Sequence, residues 1–193
     1  MVKKYSIIFP TYDPDLKKVE QTRIALESVK KYAELPHEII IVKDVVGYSN
    51  AINEGLHRAT GDYIIIASDD IEIHEPYLKK LTKDNAVVSW RFVKFYMTEE
   101  DVPDGSLYGF SRETYDKMGD MDTAYVGGYG CDEIDHFFSA KDKGVEFASG
   151  DIKVTHAQNQ TFKTYWTPEK EGMTTRNIGI FYQKWHKKYE LKP

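Results

Sequence analysis

The twelve residues ATGDYIIIASDD, positions 59–70, decide the fold. A glycine closes what precedes it, an unbroken apolar run from Tyr63 to Ala67 follows, and two carboxylates, Asp69 and Asp70, stand at its end. A run of Ile without polar alternation predicts a strand buried on both faces, as in a parallel sheet covered by crossover helices. Upstream, Ile52, Leu56 and Ala59 repeat at helical spacing, with Ser49 expected as the N-cap and Gly61 as the stop. Before that helix, Glu38 to Val42 is a second β-branched run ending near Asp44, and Tyr5 to Phe9 is a first, halted by Pro10. Val19, Thr22, Leu26, Val29 and Ala33 supply the helix between them. The unit is βαβαβ, the fold class is α/β with a mostly parallel central sheet flanked by helices, and ligands are expected beyond the carboxyl ends of the strands. Three loops are marked in advance: Pro10 to Asp13, Lys43-Asp44, and Ser68-Asp69-Asp70.

Downstream the pattern weakens. Pro76 suits the start of a short helix, and Ala86 to Trp90 reads as a fourth strand. Residues 91–130 hold six glycines and read as loops with one short helix, Arg112 to Met118, capped by Ser111. Asp132 to Lys143 is helical with Gly144 as its stop, Val145 to Ser149 a strand, and Thr175 to Tyr189 a last amphipathic helix. At 193 residues the chain is expected to form one domain, read in three stretches, 1–90, 91–155 and 156–193.

With 26 Lys and Arg against 31 Asp and Glu, the formal net charge is -5, which argues against a nonspecific nucleic-acid binder. The charge is divided unevenly. Residues 1–152 carry a net charge of -10 and residues 153–193 one of +5, an acidic body followed by a basic tail that could close over an anion near Asp70. The lone Cys131 excludes an internal disulfide, and no Cys/His cluster suggests zinc. No apolar run approaches the roughly 18 residues of a spanning helix. The opening residues lack the apolar stretch of about 7 residues that a signal peptide needs, so a cytoplasmic location is expected.

Paired carboxylates at a strand mouth repel one another unless a cation offsets them, and hard oxygen ligands suit Mg²⁺ or Mn²⁺. A bare Asp-Asp pair is more commonly a turn that caps the next element. A second acidic group, Asp132-Glu133-Ile134-Asp135, follows a glycine-rich stretch at a helix start, where exposed N–H groups favour carboxylates, with capping the bland alternative. His156 taken alone reads as a surface or core histidine. Lys163, Tyr165, Trp166 and Lys170 read as a solvated loop or a lid. Trp90, Phe92, Phe95, Tyr96, Tyr108 and Phe110 suit a sugar floor, with core packing the better reading for most.

Taken in order, Ile7 to Tyr12, Glu38 to Asp44, Asn50 to Gly55, and Ala59 to Tyr63 leading into Ser68-Asp69-Asp70 resemble a family 2 glycosyltransferase of the GT-A fold, along essentially the whole chain. The resemblance implies a metal-dependent, inverting transfer of a sugar from a nucleotide-diphosphate donor, UDP-sugar favoured and GDP-sugar possible, to a glycan or other hydroxyl acceptor. It makes 1–90 a nucleotide-binding half, 91–155 an acceptor and base half, and 156–193 a lid loop with a final helix, and it assigns Pro10, Thr11, Tyr12, Asp44, Asn50, Ser68, Asp69 and Arg176 to the donor, Asp70 and His156 to Mn²⁺ (or Mg²⁺), and the acceptor base to Glu133 or Asp132. The sequence departs from the family pattern twice. Ser68 stands where the first acid of the DxD motif is expected, and the Glu-Asp pair is inverted, so position favours Glu133 as base and residue type Asp132. Two alternatives stay open: a nucleotidyltransferase, against which Pro10 to Asp15 offers no glycine or lysine for a triphosphate, and a noncatalytic nucleotide-sugar or glycan binder.

Overall fold

The computed structural model describes residues 3–11, 20–43, 45–98, 100–125, 130–157 and 168–192. The expected βαβαβ unit is present: β1 (Tyr5–Pro10), α1 (Glu20–Tyr32), β2 (His37–Val42), α2 (Tyr48–Arg58) and β3 (Tyr63–Ala67). After β4 (Ile71–Ile73) and a 3-10 turn at Lys79–Leu81 come β5 (Ala86–Ser89), β6 (Phe92–Lys94), β7 (Asp101–Pro103), β8 (Leu107–Ser111) and α3 (Arg112–Met118). The chain continues through α4 (Asp132–Asp142), β9 (Glu146–Ser149), β10 (Val154–His156) and α5 (Pro168–Tyr189). Six strands form one sheet in the order β2-β1-β3-β8-β5-β9, with β8 antiparallel to both its neighbours and the other pairings parallel. Two-stranded ribbons β10-β4 and β6-β7 stand beside it.

The apolar runs are continuous because both sheet faces are covered. Ile8, Ile40, Val42, Ile64, Ile66, Val87, Tyr108 and Phe110 point to the side of α2 and α4. Ile7, Phe9, Ile65, Ala67, Val88 and Leu107 point to the side of α1. Each face buries its own cluster, the arrangement that favours Ile and Val at successive positions.

Five expectations change. The 91–130 region is not loops with one helix, since it contains β6, β7 and the central strand β8. Gly109, read as a loop glycine, lies inside β8 because a Cβ there would stand 2.6 Å from Leu81 O and 2.4 Å from Ile65 Cδ1. Ser49 does not cap α2: the helix starts at Tyr48 behind Gly47, whose φ is 92°, and the Ser49 hydroxyl is buried without a hydrogen-bond partner among the described residues. Gly61 does not stop α2, which ends at Arg58, but lets β3 enter against β1, where a Cβ would lie 2.6 Å from Ser6 N. The helix expected near Pro76 is only the 3-10 turn, and the last helix begins at Pro168, not Thr175. Ser111 does cap α3, accepting from Thr114 N at 3.0 Å.

Candidate active site

The carboxyl ends of β1, β2 and β3 meet at one edge of the sheet. Pro10 is buried at the end of β1, and the next residue, Thr11, donates its N–H to Val42 O at 3.0 Å. Its hydroxyl donates to Asp69 Oδ2 at 2.7 Å, so the first and third marked loops are joined by a buried hydrogen bond. Half-buried Ser68 donates its N–H to Ser106 O at 2.8 Å and thereby ties this edge to the turn that enters β8. Tyr12 and Asp44 lie outside the described residues.

Asp70 and His156 come together although 86 positions separate them. The cause is the β10-β4 ribbon, which pairs His156 with Ile71, while Ala157 N–H bonds Asp70 O at 2.9 Å. His156 Nε2 stands 3.3 Å from Asp70 Oδ1. Burial alone would lower the imidazole pKa, but the hydrogen bond and charge of Asp70, helped by Asp104, raise it. Two cis ligands about 2.1 Å from an octahedral ion are separated by about 3 Å, close to the spacing found. Among the described residues no group of three His, Cys, Asp or Glu side chains could hold an ion unaided. His156 Nδ1 is buried without a partner among them, lacking the acceptor that usually orients a metal-bound imidazole. The pair therefore fits one side of a divalent-cation shell, with substrate oxygens or water as the other ligands.

The second acidic group opens α4. Cys131 precedes it with φ of 70°, and Asp132, Glu133 and Asp135 fall in the first turn. These three have different fates. Asp135 is structural: its Oδ1 accepts from Trp185 Nε1 at 2.6 Å and its Oδ2 from Lys184 at 2.8 Å. Asp132 is buried, and burial raises its pKa. Glu133, partly open, is pushed well above the ordinary carboxyl range by burial first and by the Asp132 carboxylate next. A carboxyl tuned upward by its surroundings is the condition a general base needs near neutral pH.

A network that the sequence reading missed lies beside these groups. Buried Asp104 accepts from Arg91 Nε at 2.8 Å, Ser106 N at 2.9 Å and Ser106 Oγ at 2.5 Å. Burial would raise its pKa, but these donors more than offset that and hold it low. The Arg91 guanidinium lies over the Trp90 ring, whose Nε1 donates to Ser106 Oγ at 3.0 Å. The charge of Asp104 acts on both His156 and Glu133. In sequence, Asp104-Gly105-Ser106 shows nothing beyond a turn, and no local signal marks it.

Two further donor candidates bond backbone carbonyls. Asn50 is exposed on α2 and donates to Val46 O at 2.8 Å. Arg176, expected at a helix start, lies within α5 and donates to Ala124 O at 3.2 Å, so no helix N-terminus assists it. Among the described cations of the basic tail, Lys184 pairs with Asp135 and Asp122 and Lys188 with Asp142, neutralising the acidic body's own carboxylates. The lid residues Lys163, Tyr165 and Trp166 lie outside the described residues. Trp90, Phe95, Tyr108 and Phe110 are buried, as the core reading expected, whereas Tyr96 is 65% exposed.

Residues 20–129 match the family model for glycosyl transferase family 2, more than half the chain. No curated protein matches the chain. Among solved structures, a Drosophila β1,4-galactosyltransferase 7 mutant in complex with manganese, UDP-Gal and xylobiose superposes with a TM-score of 0.60 at 17% identity, over 89% of this chain and 79% of that one. A Pyrobaculum calidifontis mannosyltransferase in complex with GDP-Man and Mn²⁺ gives 0.59 at 17% identity, over 77% and 55%. GalNAc-T7 with UDP, GalNAc and Mn²⁺ gives 0.67 at 12% identity over 98% of this chain, which spans only 49% of its length. These likenesses carry the fold, and the family match carries the assignment: the chain belongs to glycosyl transferase family 2, a glycosyltransferase of the GT-A fold.

Proposed function

We propose that the chain transfers a sugar from a nucleotide-diphosphate donor to an acceptor hydroxyl, with inversion and with a divalent cation. The observation that carries the reading is the convergence of His156 and Asp70 at the mouth of β3, 3.3 Å apart, with the perturbed Glu133-Asp132 pair on α4 near enough to Asp104 to share its field. Asp70 and His156 would hold Mn²⁺ or Mg²⁺. When bound, the ion offsets negative charge that builds on the departing diphosphate. Thr11, fixed by Asp69 and Val42, would form the floor of the nucleotide pocket with Pro10, and the family resemblance assigns Tyr12 and Asp44 to the same nucleotide. Ser68, Asp69, Asn50 and Arg176 belong to the same donor side. Glu133, more open than Asp132 and raised in proton affinity, takes the acceptor hydroxyl proton as that oxygen attacks the anomeric carbon. One displacement inverts the anomeric centre. The manganese complexes with UDP-Gal and GDP-Man among the structural neighbours support a UDP- or GDP-sugar as donor.

The test is incubation with a panel of UDP-, GDP- and dTDP-sugars and Mn²⁺, followed by measurement of released nucleoside diphosphate and of the product's anomeric configuration by NMR. Release that is lost on chelation and falls at least about 100-fold in Asp70→Ala is expected. Binding without turnover of any donor would favour a noncatalytic binder, and full metal-dependent turnover by the variant would remove Asp70 from the site.

A further inference from the structure

Several buried side-chain polar atoms lack a hydrogen-bond partner among the described residues, and one of them belongs to the strand beside α4. Tyr108, on the central strand β8, is fully buried, and its hydroxyl has no hydrogen-bond partner among the described residues. A buried phenol without a partner is destabilising, so a phenylalanine would serve a purely packing role better. Its ring meets Phe137 edge-on at 5.1 Å, one helical turn beyond Glu133 on α4. A second phenol, Tyr48 on α2, makes a long bond of 3.4 Å to Gly105 O, and its hydroxyl is the polar neighbour of the Tyr108 hydroxyl. Gly105 is in turn the residue over which Glu133 lies: a Cβ there would stand 2.5 Å from Glu133 Cγ. Two hydroxyl donors from two different elements thus stand beside the carboxylate pair of α4.

We propose that Tyr108 and Tyr48 are positioning residues for the base, two phenol donors that turn onto the Glu133-Asp132 carboxylates when these ionise and hold Glu133 against Gly105. The proposal rests on Glu133 being the base and deepens that reading. It accounts for the idle hydroxyl of Tyr108, because with the carboxyl protonated the phenol has no charged acceptor to meet. The titratable groups facing Glu133 are Asp132 and Cys131 on its own side, Asp104 from the β7–β8 turn, Tyr48 from α2 and Tyr108 from β8. Burial, Asp132 and Asp104 disfavour its ionisation, a backbone hydrogen bond at Glu133 favours it, and the two neutral phenols are side chains that can favour it further by donating. Each donor removed raises the proton affinity of the pair and moves the acid limb of the rate profile to higher pH.

Tyr108→Phe and Tyr48→Phe remove one oxygen each and keep the rings. Glu133 titration is followed by difference infrared spectroscopy of the carboxyl stretch, its band identified by loss in Glu133→Gln, alongside the pH dependence of kcat/KM. In Tyr108→Phe the carboxyl midpoint is expected to rise by about one pH unit, in line with a hydrogen bond to a charged group, and the acid limb to rise with it while thermal stability holds or increases. Tyr48→Phe moves both in the same direction. Midpoints equal to wild type in both variants would overturn the proposal, whatever the activity. A shifted midpoint in a protein that turns over no donor would leave the positioning role standing and remove the catalytic reading beneath it.

Discussion

Asp132 and Glu133 are adjacent yet unequal, and the inequality has consequences in opposite directions. The unfolded chain ionises Glu133 at its ordinary value, whereas the folded chain resists ionisation, by burial first and then by Asp132. Between those two values the folded state binds more protons, so this residue's contribution to stability is present at low pH and lost as pH rises through the folded pKa. Glu133→Gln is therefore expected to raise the melting temperature near neutral pH while lowering turnover, a trade of stability for function visible in thermal denaturation. Asp132→Asn removes the like charge, lowers the Glu133 pKa and moves the acid limb of kcat/KM to lower pH. An unmoved limb in that variant would show that the two carboxylates do not interact. The acidic character of this helix start was legible in the sequence because Asp and Glu cluster there. The division of labour was not, because it depends on Trp185 and Lys184 claiming Asp135 from 49–50 positions away.

Among the elements, the βαβαβ unit was legible because its strands are runs of β-branched residues that only two-sided burial tolerates. β8 was hidden because its central glycine satisfies a tertiary contact. Gly109→Ala would drive a methyl against Leu81 O, a backbone atom that cannot swing aside, and is expected to cost about 2–4 kcal/mol in denaturant unfolding. A loss under about 0.5 kcal/mol would mean that the sheet relaxes there. The motif at 59–63 is likewise structural. Gly61 N donates to Ser6 Oγ at 2.7 Å, Asp62 Oδ2 accepts from Lys4 N at 2.8 Å, and Glu38 accepts from Ser6 Oγ at 2.7 Å and Thr60 N at 2.9 Å. Burial would raise the Glu38 pKa, but these bonds from Ser6 and Thr60 hold it at about 2. Its stabilisation is present above the unfolded value of about 4.5 and disappears as pH falls toward 2. Glu38→Gln is expected to lose about 1–2 kcal/mol at pH 7 and to show a shallower acid unfolding limb between pH 4.5 and 2.

At the scale of the molecule, the uneven charge found in the sequence has a structural use besides the expected lid, whose residues 158–167 lie outside the described ones. Two cations of α5 pair with α4, so the helix carrying the candidate base is fastened from outside by Lys184, Trp185 and Lys188. Asp135→Ala leaves the Trp185 indole N–H buried without its acceptor and is expected to cost about 2–3 kcal/mol. Turnover at temperatures where the variant remains folded should fall as well, through disorder of α4, and a stable variant with wild-type kinetics would deny α5 that role. The charge division itself could be counted in the sequence, but which carboxylates the cations meet depends on how α5 docks. The same holds for His156, a lone histidine until the β10-β4 ribbon places it beside Asp70. The central claim is that a donor held at this edge reacts only when Glu133 accepts a proton. Its most direct test is the rate of nucleoside diphosphate release, with Mn²⁺, acceptor and the best donor of the panel, for wild type and Glu133→Gln at equal donor occupancy. A fall of about 100-fold or more with donor affinity unchanged is predicted, and equal rates in the two proteins would contradict the account.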